Sequence, residues 1–466
     1  MFGKVYGYLK QYDECFLNNI TRGEEIMSKS NSGAQNSTSA YAQAIEKVSP
    51  SPSQDAPKKP ERKRIEAAKN MKEYMANYFY DLDKTANDPD GLVAWCTSVG
   101  PAELLLSFGF KVYYPENHGA MLGSTRKAME LIPVANALGY SPDICSYLTS
   151  DIGSFIKHDS PMLTAYNMKE FPKPDILAYN TNQCRDVQEW LAYYSRKFNV
   201  PIIGINSPGK VDILKEEHIK GAEEQLEALV ESMEKVSGQS YSEQSFKEVL
   251  KRSKECTVLW KQVLETASHK PSPITFFDST IHMGPAVVMR GSQEAIDYYK
   301  ILLKELKDRI DNNIAAVDDE QFRIYWEGMP IWGKLRDLST QFLLDKTCVV
   351  ASTYCNSWIF ESFDPQRPFY GMAKAYTEIF INRSERIKEQ YINDMIKKFS
   401  VDGIIFHDSK TCPSNSNARY GMPERLKKQG IPTLVLDGDL NDLRCYSEEQ
   451  SKTKIEAFIE QLKEMK

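Results

Sequence analysis

The segment Val401–Ser416, VDGIIFHDSKTCPSNS, carries the grammar on which the rest of the chain is built. A short apolar run, Gly403-Ile404-Ile405-Phe406, stops abruptly at His407-Asp408-Ser409-Lys410-Thr411-Cys412. An apolar run of this length without polar alternation reads as a strand buried on both faces of a parallel sheet. The loop beyond its carboxyl end then falls in the crevice where α/β folds bind ligands. Pro413, Ser414, Asn415 and Ser416 are loop formers, so Cys412 is carried on a turn. A thiol so placed is a metal ligand, a nucleophile or an inert side chain, and the segment alone leaves all three open.

Outward from this segment the same pattern repeats. Arg323–Gly328, Lys346–Ser352 and Thr433–Leu436 read as strands of the same half, the last ending in Asp437-Gly438-Asp439. In the first half, Leu92–Trp95 ends in Cys96-Thr97-Ser98, and Lys111–Tyr114 ends in a polar loop, Pro115-Glu116-Asn117-His118-Gly119. Pro174–Tyr179 closes on Asn180-Thr181-Asn182-Gln183-Cys184, and Ile202–Ile205 follows a helical stretch, Asp186–Phe198. Strand, loop, helix and strand at this spacing form right-handed βαβ units. Two long amphipathic helices joined near Gly238 are predicted between about 215 and 266, one helix over 282–310 with Glu305 and Arg309 at a supportive spacing, and another over 373–399. The fold class is therefore α/β, with two Rossmann-like, doubly wound parallel lobes and added helical segments. The expected boundaries are a mobile extension over 1–60, rich in Ser, Pro, Asn and Gln, a first lobe over 61–273 and a second over 274–466.

The 466 residues, 41% of them apolar, suffice for more than one core. A net charge of −6 gives no basic footprint for nucleic acid, and no uncharged apolar stretch reaches the length of a membrane span. The start of the chain lacks a continuous apolar signal region, so a cytoplasmic location is expected. Nine cysteines, none in a C-x-x-C pair, are too sparse for a disulfide scaffold and suit a reducing compartment.

Three cysteines, Cys145, Cys184 and Cys412, each follow the end of an element. Their separations are too long for a local metal knot, so only the fold can bring them together. Spacing alone leaves both a shared iron–sulfur site and three unrelated thiols open.

At this point the chain resembles the family of 2-hydroxyacyl-CoA dehydratases and benzoyl-CoA reductases. The segments that carry the resemblance are WCTSVGPAELLLSFGFKVYYPENHGA, GYSPDICSYLTSDIG, the NQC segment with NVPIIGINSP, RIYWEGMPIWGKL, and VDGIIFHDSKTCPSNS with GIPTLVLDGDLND. The resemblance implies that Cys145, Cys184 and Cys412 hold a [4Fe-4S] cluster with one open iron between the two lobes. It further implies that Ser98 and Glu116 face the substrate, an acyl-CoA. The implied reaction removes water from a 2-hydroxyacyl-CoA through a ketyl radical, formed by one very low-potential electron. The resemblance also implies a paralogous second subunit, giving a heterodimer, and a separate ATP-hydrolysing iron–sulfur activator. This chain has no G-x-x-x-x-G-K-[ST] phosphate loop of its own. Reduction of an aromatic acyl-CoA, and electron carriage without turnover, are the alternatives that the same resemblance leaves open.

Overall fold

A computed structural model describes residues 63–466; the extension expected over 1–60 lies outside them. Eight strands form two four-stranded sheets. The first contains β1 (Val93–Cys96), β2 (Lys111–Tyr113), β3 (Ile176–Asn180) and β4 (Ile202–Ile205) in the order β2-β1-β3-β4. The second contains β5 (Phe322–Glu327), β6 (Thr347–Ser352), β7 (Gly403–Ser409) and β8 (Thr433–Gly438) in the order β6-β5-β7-β8. Every pairing is parallel. The order places a topological switch between β1 and β3 in one sheet and between β5 and β7 in the other, where loops past the carboxyl ends diverge and leave a crevice.

The strands predicted from sequence all form, with ends shifted by a few residues. β7 is buried at Gly403 through His407, which is why its sequence shows no alternation. Sequestering Ile404, Ile405 and Phe406 stabilises the sheet by about 1.5–3 kcal/mol per side chain. The largest apolar cluster includes Ala94 and Ala178 of the first sheet, Ile324 and Ile404 of the second, and Trp260 and Tyr299 from the helices Glu243–Glu265 and Gln293–Asp311.

Three local readings are corrected. Pro115–Gly119 is not a loop: it opens a helix, Pro115–Ser124, because Pro115 takes a first-turn position where its missing N–H costs nothing. The helix expected over 282–310 is broken: His282 ends an earlier helix, Phe276–His282, and the rest is divided into Gly284–Val288 and Gln293–Asp311. Pro285 lacks an N–H, Gly291 adopts φ +88°, and Ser292 restarts the chain by accepting from the Ala295 N–H at 3.2 Å. The helix expected over 373–399 is likewise divided, into Pro368–Thr377 and Glu385–Phe399. Between them Val211 pairs with the backbone of Asn382 and Ser384, at 2.9 and 3.0 Å, and holds the chain extended. Glu305 is used across the fold, accepting from the backbone N–H groups of Glu66 and Ala67 at 2.7 and 2.8 Å.

Candidate active site

The carboxyl ends of β1, β3 and β7 open on one cavity of about 280 Å³, and its walls include all five residues singled out from the sequence: Ser98, Glu116, Cys145, Cys184 and Cys412. Each thiol stands at the start of a helical turn. Cys145 caps the helix Ser146–Lys157, Cys184 lies two residues before Asp186–Phe198, and Cys412 precedes the short turn Pro413–Asn415. The Asn415 N–H donates to the Cys412 carbonyl at 3.2 Å, and the Thr149 N–H to the Cys145 carbonyl at 3.1 Å, closing the turns that follow these two thiols.

Two carboxylates tie these turns together. The Cys145 N–H donates to Asp186 Oδ2 at 3.1 Å, joining the first thiol to the turn of the second. Asp439, fully buried at the end of β8, accepts from the Thr411 N–H at 2.8 Å and the Thr411 hydroxyl at 2.6 Å, next to Cys412. Its other oxygen accepts from the Ser146 hydroxyl, next to Cys145, and from the N–H groups of Asn441 and Asp442 at 3.1 and 3.0 Å. The Ser146 N–H also donates to Thr411 Oγ1 at 3.1 Å. The turns that carry the three thiols are thus tied together by carboxylate and hydroxyl contacts, and all three cysteines line the cavity.

Burial pushes all three thiols up, Cys184 to about 12, and neighbouring thiols add to the effect at Cys145 and Cys412. Among the described residues lining the cavity, the only formally charged side chains are Glu116 and Asp186, both acidic. A thiolate here would need a positive charge from outside the protein, and a soft metal is the partner such donors select. Among the described residues, no three His, Cys, Asp or Glu side chains form a set able to hold a single metal ion.

Also lining the cavity, Glu116 sits in the first turn of its helix and accepts the Ser98 N–H on Oε2. Gly119 allows this helix to lie against the Cys145 helix: a Cβ there would stand 2.8 Å from the Tyr147 ring. Desolvation raises the Glu116 carboxyl above its ordinary value, opposed by the Ser98 hydrogen bonds, Arg290 and Gln183. Arg290, invisible in the sequence pattern, is buried; it pairs with Glu103 at 2.8 Å and donates to the Ser98 carbonyl at 2.7 Å. It therefore fixes the Ser98 backbone that meets Glu116.

Several other thiols and two buried histidines lie outside this lining. Cys96, Cys256, Cys348 and Cys355 are buried away from the cavity lining. His118 bonds Asp151 at 2.5 Å through Nδ1 and Ser160 at 2.8 Å through Nε2. Although this matches the partners of a hydrolytic triad, Ser160 is 3% exposed and its oxygen caps the Met162 N–H at 3.0 Å, so the cluster is a packed structural network. His407 is buried and donates from Nδ1 to the Met329 carbonyl at 2.7 Å.

Fold and site together define the class: an α/β protein with a cavity walled by thiols, a serine and a carboxylic acid at the carboxyl ends of parallel strands. Residues 97–462 match the family described as 2-hydroxyglutaryl-CoA dehydratase, D-component, and the chain belongs to that family. It is similar to the (R)-2-hydroxyisocaproyl-CoA dehydratase alpha subunit of Clostridioides difficile, 30% identical over 382 residues, covering 80% of this chain and 91% of that one. It is 29% identical over 378 residues to the (R)-phenyllactyl-CoA dehydratase alpha subunit of Clostridium sporogenes, covering 79% and 89%. Similarity extends to a subunit of the benzoyl-CoA reductase of Thauera aromatica, 26% identical over 411 residues, covering 84% and 93%.

Proposed function

We propose that this chain is the iron–sulfur subunit of a 2-hydroxyacyl-CoA dehydratase, with Cys145, Cys184 and Cys412 holding a [4Fe-4S] cluster. The observation that carries the reading is the convergence of these three thiols with Ser98 and Glu116 on one cavity. In a cubane, cysteines ligate different irons, so three such thiols stand farther apart than the ligands of one ion. Carboxylates that tie the three turns together suit a shared cluster, and family membership supports the same assignment.

When bound, the cluster supplies a low-potential electron and, at its iron without a protein ligand, a Lewis acid. The chain's own residues do the rest. Ser98 orients the acyl oxygen through its hydroxyl. Glu116, whose carboxyl stays protonated to higher pH than an exposed one, transfers a proton at the substrate's leaving hydroxyl or β-carbon. Trp190, Tyr354 and Trp358 wall the cavity with aromatic surface and exclude water. A paralogous second subunit and a separate ATP-hydrolysing iron–sulfur activator complete the system in the cytoplasm; the alpha-subunit names of the similar dehydratases support the two-chain arrangement.

Similarity to the benzoyl-CoA reductase chain favours a second reading, reduction of an aromatic acyl-CoA at the same site. Anaerobically purified protein should contain about four iron and four acid-labile sulfide per chain, lost in air, and give a paramagnetic signal on reduction. With its second subunit and activator it should form an unsaturated acyl-CoA from a 2-hydroxyacyl-CoA. A well-folded, oxygen-protected chain without iron would sink the cluster, and a reduced ring as the product would favour the second reading.

A further inference from the structure

We infer that the cavity selects acyl-CoA thioesters with an uncharged, apolar acyl side chain, and that Met71 and Met75 take part in setting that selection. The inference rests on the acyl-CoA reading above and deepens it. Both charged groups among the described lining residues are carboxylates, Glu116 and Asp186. No Lys, Arg or His stands among the described lining residues, so an acyl chain ending in a second carboxylate would find no cation to pair with, and its desolvation would go uncompensated. The wall that remains for the acyl chain is methionine-rich: Met71, Met75, Met121, Met283 and Met329 all line it. Thioether side chains are apolar, polarizable and adaptable, and they fit branched aliphatic and aromatic groups alike.

Two of these methionines come from a helix that precedes the family match. Met71 and Met75 lie on Ala68–Ala86, whereas the match begins at residue 97. The helix is held firmly: the Tyr78 hydroxyl donates to the Val112 carbonyl at 2.6 Å, and Phe79 stacks on Tyr166 with ring centroids 4.1 Å apart. Opposite it, Gly284 has no side chain, and a Cβ there would lie 3.5 and 3.6 Å from the Met71 and Met75 sulfurs. This part of the wall is thus built by one helix against a glycine, and a side-chain change on the helix alters the cavity directly.

The test is binding, which needs neither the activator nor turnover. Dissociation constants of 4-methylpentanoyl-CoA, 3-phenylpropanoyl-CoA, glutaryl-CoA and free coenzyme A are measured calorimetrically on the anaerobic full-length protein and on Met75→Lys. Both apolar thioesters should bind at least about tenfold more tightly than glutaryl-CoA. In Met75→Lys that ratio should shrink to about threefold or less, because the ammonium pairs with the distal carboxylate and crowds the apolar wall. Glutaryl-CoA binding as tightly as the apolar thioesters in the wild type overturns the inference while leaving the acyl-CoA reading standing. An unchanged ratio in a folded Met75→Lys removes the helix from the selection. Thioesters that bind no better than free coenzyme A overturn the acyl-CoA reading and the inference with it. The wild-type ratio decides the acyl class even if the variant fails to fold.

Discussion

The backbone N–H of Cys145 donates to Asp186 Oδ2 at 3.1 Å, so the turns carrying two thiols 39 positions apart in the chain are joined beside one cavity. Asp439 provides the matching tie between Cys145 and Cys412 through Ser146 and Thr411. Both carboxylates act on backbone and hydroxyl groups beside the thiols.

The thiol assignments separate by iron content. Cys145→Ser and Cys412→Ser should each lose most bound iron and sulfide, whereas Cys256→Ser should keep the wild-type amount. Cys256 is buried in the helix Glu243–Glu265, packed in the apolar core. Equal iron in all three variants would defeat the ligand assignment.

Asp439→Ala removes the acceptor for several buried donors at once. Thr411, Asn441 and Asp442 would each retain an N–H with no carboxylate to receive it. The expected loss is about 3 kcal/mol or more, read as a lower urea midpoint. A midpoint equal to wild type would show that these donors find other partners.

Glu116→Gln keeps the size of the side chain and removes its exchangeable acid proton. Turnover in the reconstituted system should fall by about 100-fold or more, with acyl-CoA affinity within about threefold of wild type. Undiminished turnover would take the proton-transfer role away from this residue.

Stability should carry a pH signature from Glu327. This carboxyl is buried at the end of β5 and contacts Thr353 and Asn417; desolvation raises it from 4.5 to about 7. Because the folded state holds the proton more tightly than the unfolded one, the contribution is fully present below pH 4.5 and is lost as pH rises through about 7. Relative to Glu327→Gln, the wild type should therefore lose on the order of 3 kcal/mol between about pH 4.5 and about pH 8, seen in paired urea titrations. A wild-type minus variant difference that is constant with pH would refute this.

Much of the fold was legible because local sequence and local structure agree. β7 is buried on both faces, so Ile404-Ile405-Phe406 shows a continuous apolar run, and the adjoining polar residues mark its carboxyl end. Pro115–Gly119 misled because proline and small polar residues signal a loop as readily as a first helical turn. The break near Asn382 escaped because it depends on pairing with Val211, 171 positions away from Asn382.

By itself the sequence determined the α/β class, the eight strands and the placement of Cys145, Cys184, Cys412, Ser98 and Glu116 at the ends of elements. Period and punctuation are local properties of a chain, and these features depend on nothing more. Only the tertiary structure decided that these five side chains share a cavity, that Asp186 and Asp439 bind their turns together, and that Arg290 holds the Ser98 backbone. It also decided that Met71 and Met75 complete the apolar wall. The physical reason is the same in each case: a buried carboxylate, guanidinium or thioether takes its partners from whatever the parallel sheets bring within reach, and such distances leave no period in the sequence.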